Sequence, residues 1–183
     1  LYSSIYGYAY ADSEIRIGQQ RYQITGGQYY SFFVTDRCII STNWQIFVAV
    51  RLGFKTVDQI GTVEKQGRLS YIDGCSDSLL VYPPRLGDPS LNLLYFPSGI
   101  EQTPHRHPSI RLGCVISGQG IAEYNSGKTQ DLTVGQLFCL DEHELHRFCT
   151  TDRHLTVIAF HPDGDWGPTD HNHTMLNRTY INK

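Results

Sequence analysis

Charge is scarce in this sequence. Asp, Glu, Lys and Arg make up 18% of 183 residues, and the net charge is −3. The lysines and arginines are scattered, with no run that would build a basic stripe. This lacks the electrostatic footprint of a nucleic-acid or anionic-membrane partner, so neither is expected. No apolar run approaches the ~20 residues of a membrane helix, and no signal peptide is legible. Five cysteines form no CxxC pair and are odd in number. That pattern points away from a disulfide framework and toward a reducing, cytoplasmic setting. P-loop, GxSxG and dinucleotide-binding GxGxxG motifs are also missing. Gly118-Gln119-Gly120 falls between two strand-like runs and reads as a turn. Helical periodicity is nearly absent. The one candidate is 55–66, where Val57, Ile60 and Val63 lie three apart and Gly61 interrupts the pattern.

What is present suits pleated surfaces. Apolar residues reach 40%, with twelve tyrosines and eight phenylalanines, and the chain is long enough to bury a core without covalent staples. Short β-type runs are expected at 14–17, 21–25, 29–34 and 44–50, then at 68–72, 78–82 and 92–96. Beyond residue 91 the rhythm becomes regular, with strands expected at 110–116, 121–124, 128–132, 137–140, 146–150 and 155–160. Gly-rich or polar breaks separate them, and 83–89, with three prolines, cannot be a central strand. Many short, evenly spaced strands indicate an all-β antiparallel sandwich or jelly-roll barrel. The expected organisation is a β-rich N-terminal extension over 1–75, readable as a degenerate half-barrel packed on the core. A barrel over 76–162 and an irregular tail over 163–183 follow it.

The chemistry concentrates in histidines. His105 and His107 are one residue apart within β-type sequence, so their side chains would share a face. His146 lies two strand-like runs further on, and neutral imidazoles converging from neighbouring strands can hold a transition metal. His171-Asn172-His173 repeats the spacing in the polar tail and reads as surface, while His161 ends a barrel strand and could reach the mouth. Asp163, Asp165, Trp166 and Asp170 lie in a loop that could cover the opening. Cys114 and Cys139 read as core packing before soft ligands.

The spacing Gly99-x5-His105-x-His107-x3-Arg111-x6-Gly118, followed by Gly135-x5-Asp141-x4-His146, resembles the two motifs of the cupin family. The resemblance spans about residues 91 to 161. It implies a jelly-roll barrel whose interior binds a divalent metal through His105, His107 and His146. Two departures matter. Arg111 stands where the family's glutamate ligand falls, and His143 stands where glycine is usual. The implied site is therefore three histidines without the glutamate, similar to cupins that act as iron dioxygenases. If the strand runs unbroken from His105 to Arg111, the guanidinium enters the same cavity, where its planar fork favours a carboxylate or enolate. An internal pairing of Arg111 with Glu101, Glu142 or Glu144 would weaken that expectation.

These residues support a mononuclear non-haem iron oxygenase acting on a small anionic substrate. Fe(II) is the first choice of metal, with Zn, Ni or Mn as alternatives. Arg111 would orient the substrate, and His143 or Glu144 would exchange protons if the 141–145 turn folds inward. The alternatives are a metal-dependent isomerase or lyase on a sugar-like or keto-acid substrate, and a non-catalytic ligand-binding or sensor barrel. A homodimer built through N-terminal strand edges is also expected.

Overall fold

The computed structural model describes residues 2–164 and 166–181. Within them, the first half carries β1 (Ser3–Ala9), β2 (Ser13–Ile17), β3 (Gln20–Ile24), β4 (Gln28–Val34), β5 (Cys38–Thr42), β6 (Ile46–Leu52) and β7 (Gln59–Thr62). The second carries β8 (Leu69–Ser70), β9 (Ser76–Val81), β10 (Ser90–Phe96), β11 (Arg111–Tyr124), β12 (Thr129–Thr133), β13 (Leu137–Leu140), β14 (His146–Cys149) and β15 (Leu155–His161). A single turn of helix, α1 (Thr174–Asn177), follows in the tail. Among the described residues, no helix is long and apolar enough to cross a membrane.

The strands stack in layers. A three-stranded sheet, β3-β2-β5, covers one face of a four-stranded sheet, β6-β1-β4-β7, through Ile5, Ile15, Ile24 and Phe32. The other face of the four-stranded sheet presents Tyr6, Tyr8 and Phe47 to the barrel, where they meet Leu91, Leu93, Ile158 and Phe160. The barrel sheet runs β12-β11-β15-β10-β9-β8, with β13 and β14 also paired to β11. Its interior holds Phe96, Val115, Phe138, Phe148, Leu155 and Val157. The unbroken apolar run of β15 follows from this arrangement. Ile158 and Phe160 face the N-terminal sheet, Val157 and Ala159 face the barrel interior, and no side of the strand meets water. Each fully buried large side chain contributes ~1.5–3 kcal/mol, so the cluster of Tyr6, Leu91, Leu93, Ile158 and Phe160 fastens the N-terminal sheet to the barrel. Tyr10 reinforces the join by donating its hydroxyl proton to the Val115 carbonyl at 2.7 Å.

β11 closes the barrel and departs from expectation. Gly118-Gln119-Gly120 is not a turn but the middle of one 14-residue strand. The first half of β11 pairs with β13 and β15, and the second half with β12 and β14. The change of partners begins at a bulge between Val115 and Ser117. There Gly118 adopts φ +73, and a Cβ on it would lie 1.8 Å from the His154 carbonyl oxygen. Glycine thus serves a bend inside a strand, where the local sequence suggests a chain reversal.

Three other expectations are corrected. Residues 55–66 form no helix, because the backbone at Gln59–Thr62 completes the edge of β4, with Gly61 lying against the Tyr29 ring. β1 and β5 were not anticipated. Finally, β8 pairs with β9 in the barrel sheet, so the barrel begins before residue 76.

Candidate metal centre

His105 and His107 do not lie on a continuous strand with Arg111. The chain bends at Pro108-Ser109, and regular pairing resumes only at Arg111. Pro104 and Pro108 lack the N–H groups a ladder needs. The segment is instead held by a bridge to β14, in which His105 N–H donates to the His146 carbonyl (3.0 Å) and His146 N–H to the His105 carbonyl (2.9 Å). Hydrogen-bonded partners carry side chains on one face, and His107 returns to that face by alternation. The three rings stand with centroids 4.6 to 5.1 Å apart, and a ligand atom from each lies within 4.8 Å of the others.

The donor set fits a metal ion. His105 Nδ1 lies 2.9 Å from the Thr103 carbonyl, and His146 Nδ1 lies 2.9 Å from the Glu144 carbonyl. Carbonyls only accept, so these Nδ1 atoms carry the protons and the Nε2 lone pairs are left for a ligand role. Burial, followed by the charges of Arg111 and the neighbouring histidines, pulls His107 down to about 3. Burial also lowers His146. Both are therefore neutral bases at physiological pH, the form a metal requires.

The triad opens into a cavity of about 210 Å³ walled by Phe96, Phe138, Leu140, Phe148 and Val157. Its polar lining adds Tyr71, Asp77, Gln102, Arg111 and His161. Arg111 is buried, and its Nη1 donates to the Ser109 carbonyl at 3.0 Å and to the Ser109 hydroxyl. Its charge lowers His107, His146 and His161 and opposes the burial that pushes Tyr71 up to about 12. Glu101, Glu142 and Glu144 are engaged elsewhere. Glu101 pairs with Arg147, Glu142 lies 3.5 Å from His143, and Glu144 accepts from the Asp141 N–H.

Of the residues expected to act, His105, His107, His146 and Arg111 share this cavity. His143 and Glu144 do not line it. The 141–145 turn carries the His143 ring outward into solvent, and His143 instead donates its backbone N–H to the His107 carbonyl at 2.9 Å. Its φ of +59 is the left-handed conformation that glycine adopts freely, which explains why glycine suits the position. His161 does reach the cavity, and burial holds it well below its ordinary range. His173 caps α1, accepting from the Leu176 N–H, while His171 is exposed. Cys114 packs between the layers and Cys139 is exposed.

A second cavity of about 290 Å³ shares Tyr71, Asp77 and His161 with the first and is bounded by Asn92, Gly164 and Trp166. The tail loop therefore borders this neighbouring space. Asp163 is tied to the histidine segment, its carbonyl accepting from Ser109 Oγ at 3.2 Å. Asp170 pairs with Arg85 at 2.6 Å, and Asp165 lies outside the described residues. Tyr71, Asp77 and Gln102 carried no signal in the sequence, because nothing in their spacing ties them to the histidines.

This chain carries a cupin-type barrel. Residues 98–171 match the model of the AraC-like ligand binding domain family. Among solved structures the chain is similar to protein Ylba from E. coli, with 16% identity, coverage of 91% of this chain and 70% of that one, and a TM-score of 0.60. It is also similar to a cupin 2 conserved barrel domain protein from Leptotrichia buccalis, with 17% identity, coverage of 86% and 72%, and a TM-score of 0.58. AerE from Microcystis aeruginosa aligns with 15% identity, coverage of 86% and 77%, and a TM-score of 0.58. These similarities establish the fold. No curated protein matches the sequence.

Proposed function

We propose that this protein is a metal-dependent enzyme that transforms a small anionic substrate inside the barrel, with iron-dependent oxygenation as the leading reaction. The observation that carries the reading is the triad itself. Three imidazoles, two of them oriented by backbone carbonyls, converge at a cavity with an aromatic and aliphatic wall that also contains a guanidinium. A bound ion there supplies a Lewis acid or a redox centre and, with three protein donors, keeps positions for substrate. The aromatic and aliphatic wall excludes water and strengthens charge interactions inside. Arg111 attracts the substrate's carboxylate or enolate toward the triad. At about 210 Å³, the space suits a metabolite smaller than typical drug-sized ligands. His161 lines the same wall, and burial disfavours its charged form.

The test is metal analysis of protein expressed without added metal, followed by oxygen uptake with candidate thiols and diketones. Stoichiometric iron and substrate-dependent uptake, both lost in His105→Ala, are expected. Turnover with zinc or nickel under anaerobic conditions would overturn oxygenation in favour of isomerase or lyase chemistry.

A second reading, capture of a ligand without turnover, is favoured by the match of residues 98–171 to a ligand-binding domain model. Ligand-dependent thermal stabilisation that persists in His105→Ala would support it.

A further inference from the structure

We propose that Tyr71 is a fourth protein ligand of the ion held by His105, His107 and His146, an inference that rests on the metal reading above. Tyr71 is built into place. Its N–H donates to the Cys75 carbonyl at 2.9 Å, closing the short turn Ile72–Gly74. Within that turn Asp73 adopts φ +55 and directs its carboxylate onto the Thr103 N–H (2.6 Å) and the Thr103 hydroxyl (3.1 Å). The Thr103 carbonyl in turn takes the Nδ1 proton of His105. The turn bearing Tyr71 and the segment bearing His105 are thus tied by one chain of hydrogen bonds.

The Tyr71 hydroxyl ends 3.4 Å from His105 Nε2. Because Nδ1 carries the proton, Nε2 is the lone-pair nitrogen, and the phenol donates to it. A metal would need that same lone pair, which cannot serve both. Once an ion takes it, the phenol loses this acceptor while its oxygen still stands beside a ligand nitrogen. For metal–ligand bonds of ~2.1 Å, neighbouring ligand atoms stand ~3.0 Å apart around a six-coordinate ion and ~3.4 Å apart around a four-coordinate one. The observed separation lies within reach of either, and a six-coordinate ion with four protein ligands keeps two positions for substrate.

Charge favours the same outcome. Three imidazole ligands bring a divalent ion no anionic donor. A phenolate supplies the anionic donor that position 111 does not, with its proton released to solvent on loading. Tyr71 is the tyrosine that lines this cavity, so a tyrosinate signal has one source there.

The full chain, stripped with chelator, is loaded anaerobically with Fe(II) and then oxidised with one equivalent of a one-electron oxidant. A visible phenolate-to-iron(III) charge-transfer band is expected, with resonance Raman modes that shift when the tyrosine rings are deuterated. Tyr71→Phe should abolish the band and weaken zinc affinity at least ~10-fold, while His105→Ala should abolish binding. Wild-type protein that holds one iron without tyrosinate modes overturns Tyr71 ligation and leaves the triad standing, as does a band that survives in Tyr71→Phe. The wild-type spectrum decides even if that variant fails to fold. Failure of wild type to bind any metal overturns the metal reading itself.

Discussion

Acid should destabilise the metal-free protein through His107 in particular. In the unfolded chain this imidazole takes up a proton near its ordinary 6.5, whereas in the native barrel burial and the Arg111 charge defer protonation to about 3. Between those limits the unfolded state binds more protons, so stability falls as pH falls and is fully present above 6.5. At pH 5 the gap to the unfolded value is about 1.5 pH units, which at ~1.4 kcal/mol per unit is a loss of ~2 kcal/mol. For a domain of this size that corresponds to a melting temperature lower by ~4–8 °C. The assay is urea unfolding of chelator-treated protein at pH 7.5 and pH 5, comparing wild type with His107→Gln. His146 and His161 also have lowered values, while partly buried Asp77 has a raised one of opposite effect. These are present in both proteins and cancel in the difference except for their charge coupling to His107 itself. Wild type should lose up to ~2 kcal/mol more than the variant over this step, the partly exposed ring being screened by solvent. Equal losses would show that the imidazole is solvated and that the triad does not sit in a desolvating cavity.

Zinc at 100 times its dissociation constant should stabilise the protein by ~2.7 kcal/mol, read as a melting shift of ~5–10 °C that His146→Ala eliminates. Gly118→Ala should cost ~3 kcal/mol or more in denaturant unfolding, because its Cβ would meet the His154 carbonyl at 1.8 Å. Gly127→Ala, at φ +78 with nothing within 4 Å, should cost only ~1 kcal/mol. His143→Gly should gain ~0.5–1 kcal/mol by relieving the left-handed backbone without changing the zinc shift. Loss of metal binding in that variant would show a role for the ring.

The all-β class and the three histidines were legible in the sequence for a local reason. Side-chain alternation puts His105 and His107 on one face, and evenly spaced apolar runs such as 155–160 can only be strands buried on one side or both. Strand boundaries were less legible, because glycine is ambiguous. Gly118 reads as a turn until the His154 carbonyl lying against it shows that the chain must stay extended and bend there. The same limit applies at Gly61, whose spacing among Val57, Ile60 and Val63 suggests a helix until the free edge of β4 takes the segment as a strand.

Sequence alone therefore indicated an all-β fold, through the spacing of its apolar runs, and pointed to the barrel and the three histidines through their resemblance to the cupin motifs. Tertiary structure decided what surrounds the triad. The φ of His143 turned its ring to solvent, and the bend at Pro108-Ser109 interrupted the strand yet left Arg111 at the cavity. Tyr71, 34 residues before His105 in the chain, came to rest 3.4 Å from its Nε2. Such long-range placements depend on how β8, the Ile72–Gly74 turn and β14 close around one another, and no pattern along the chain encodes that closure.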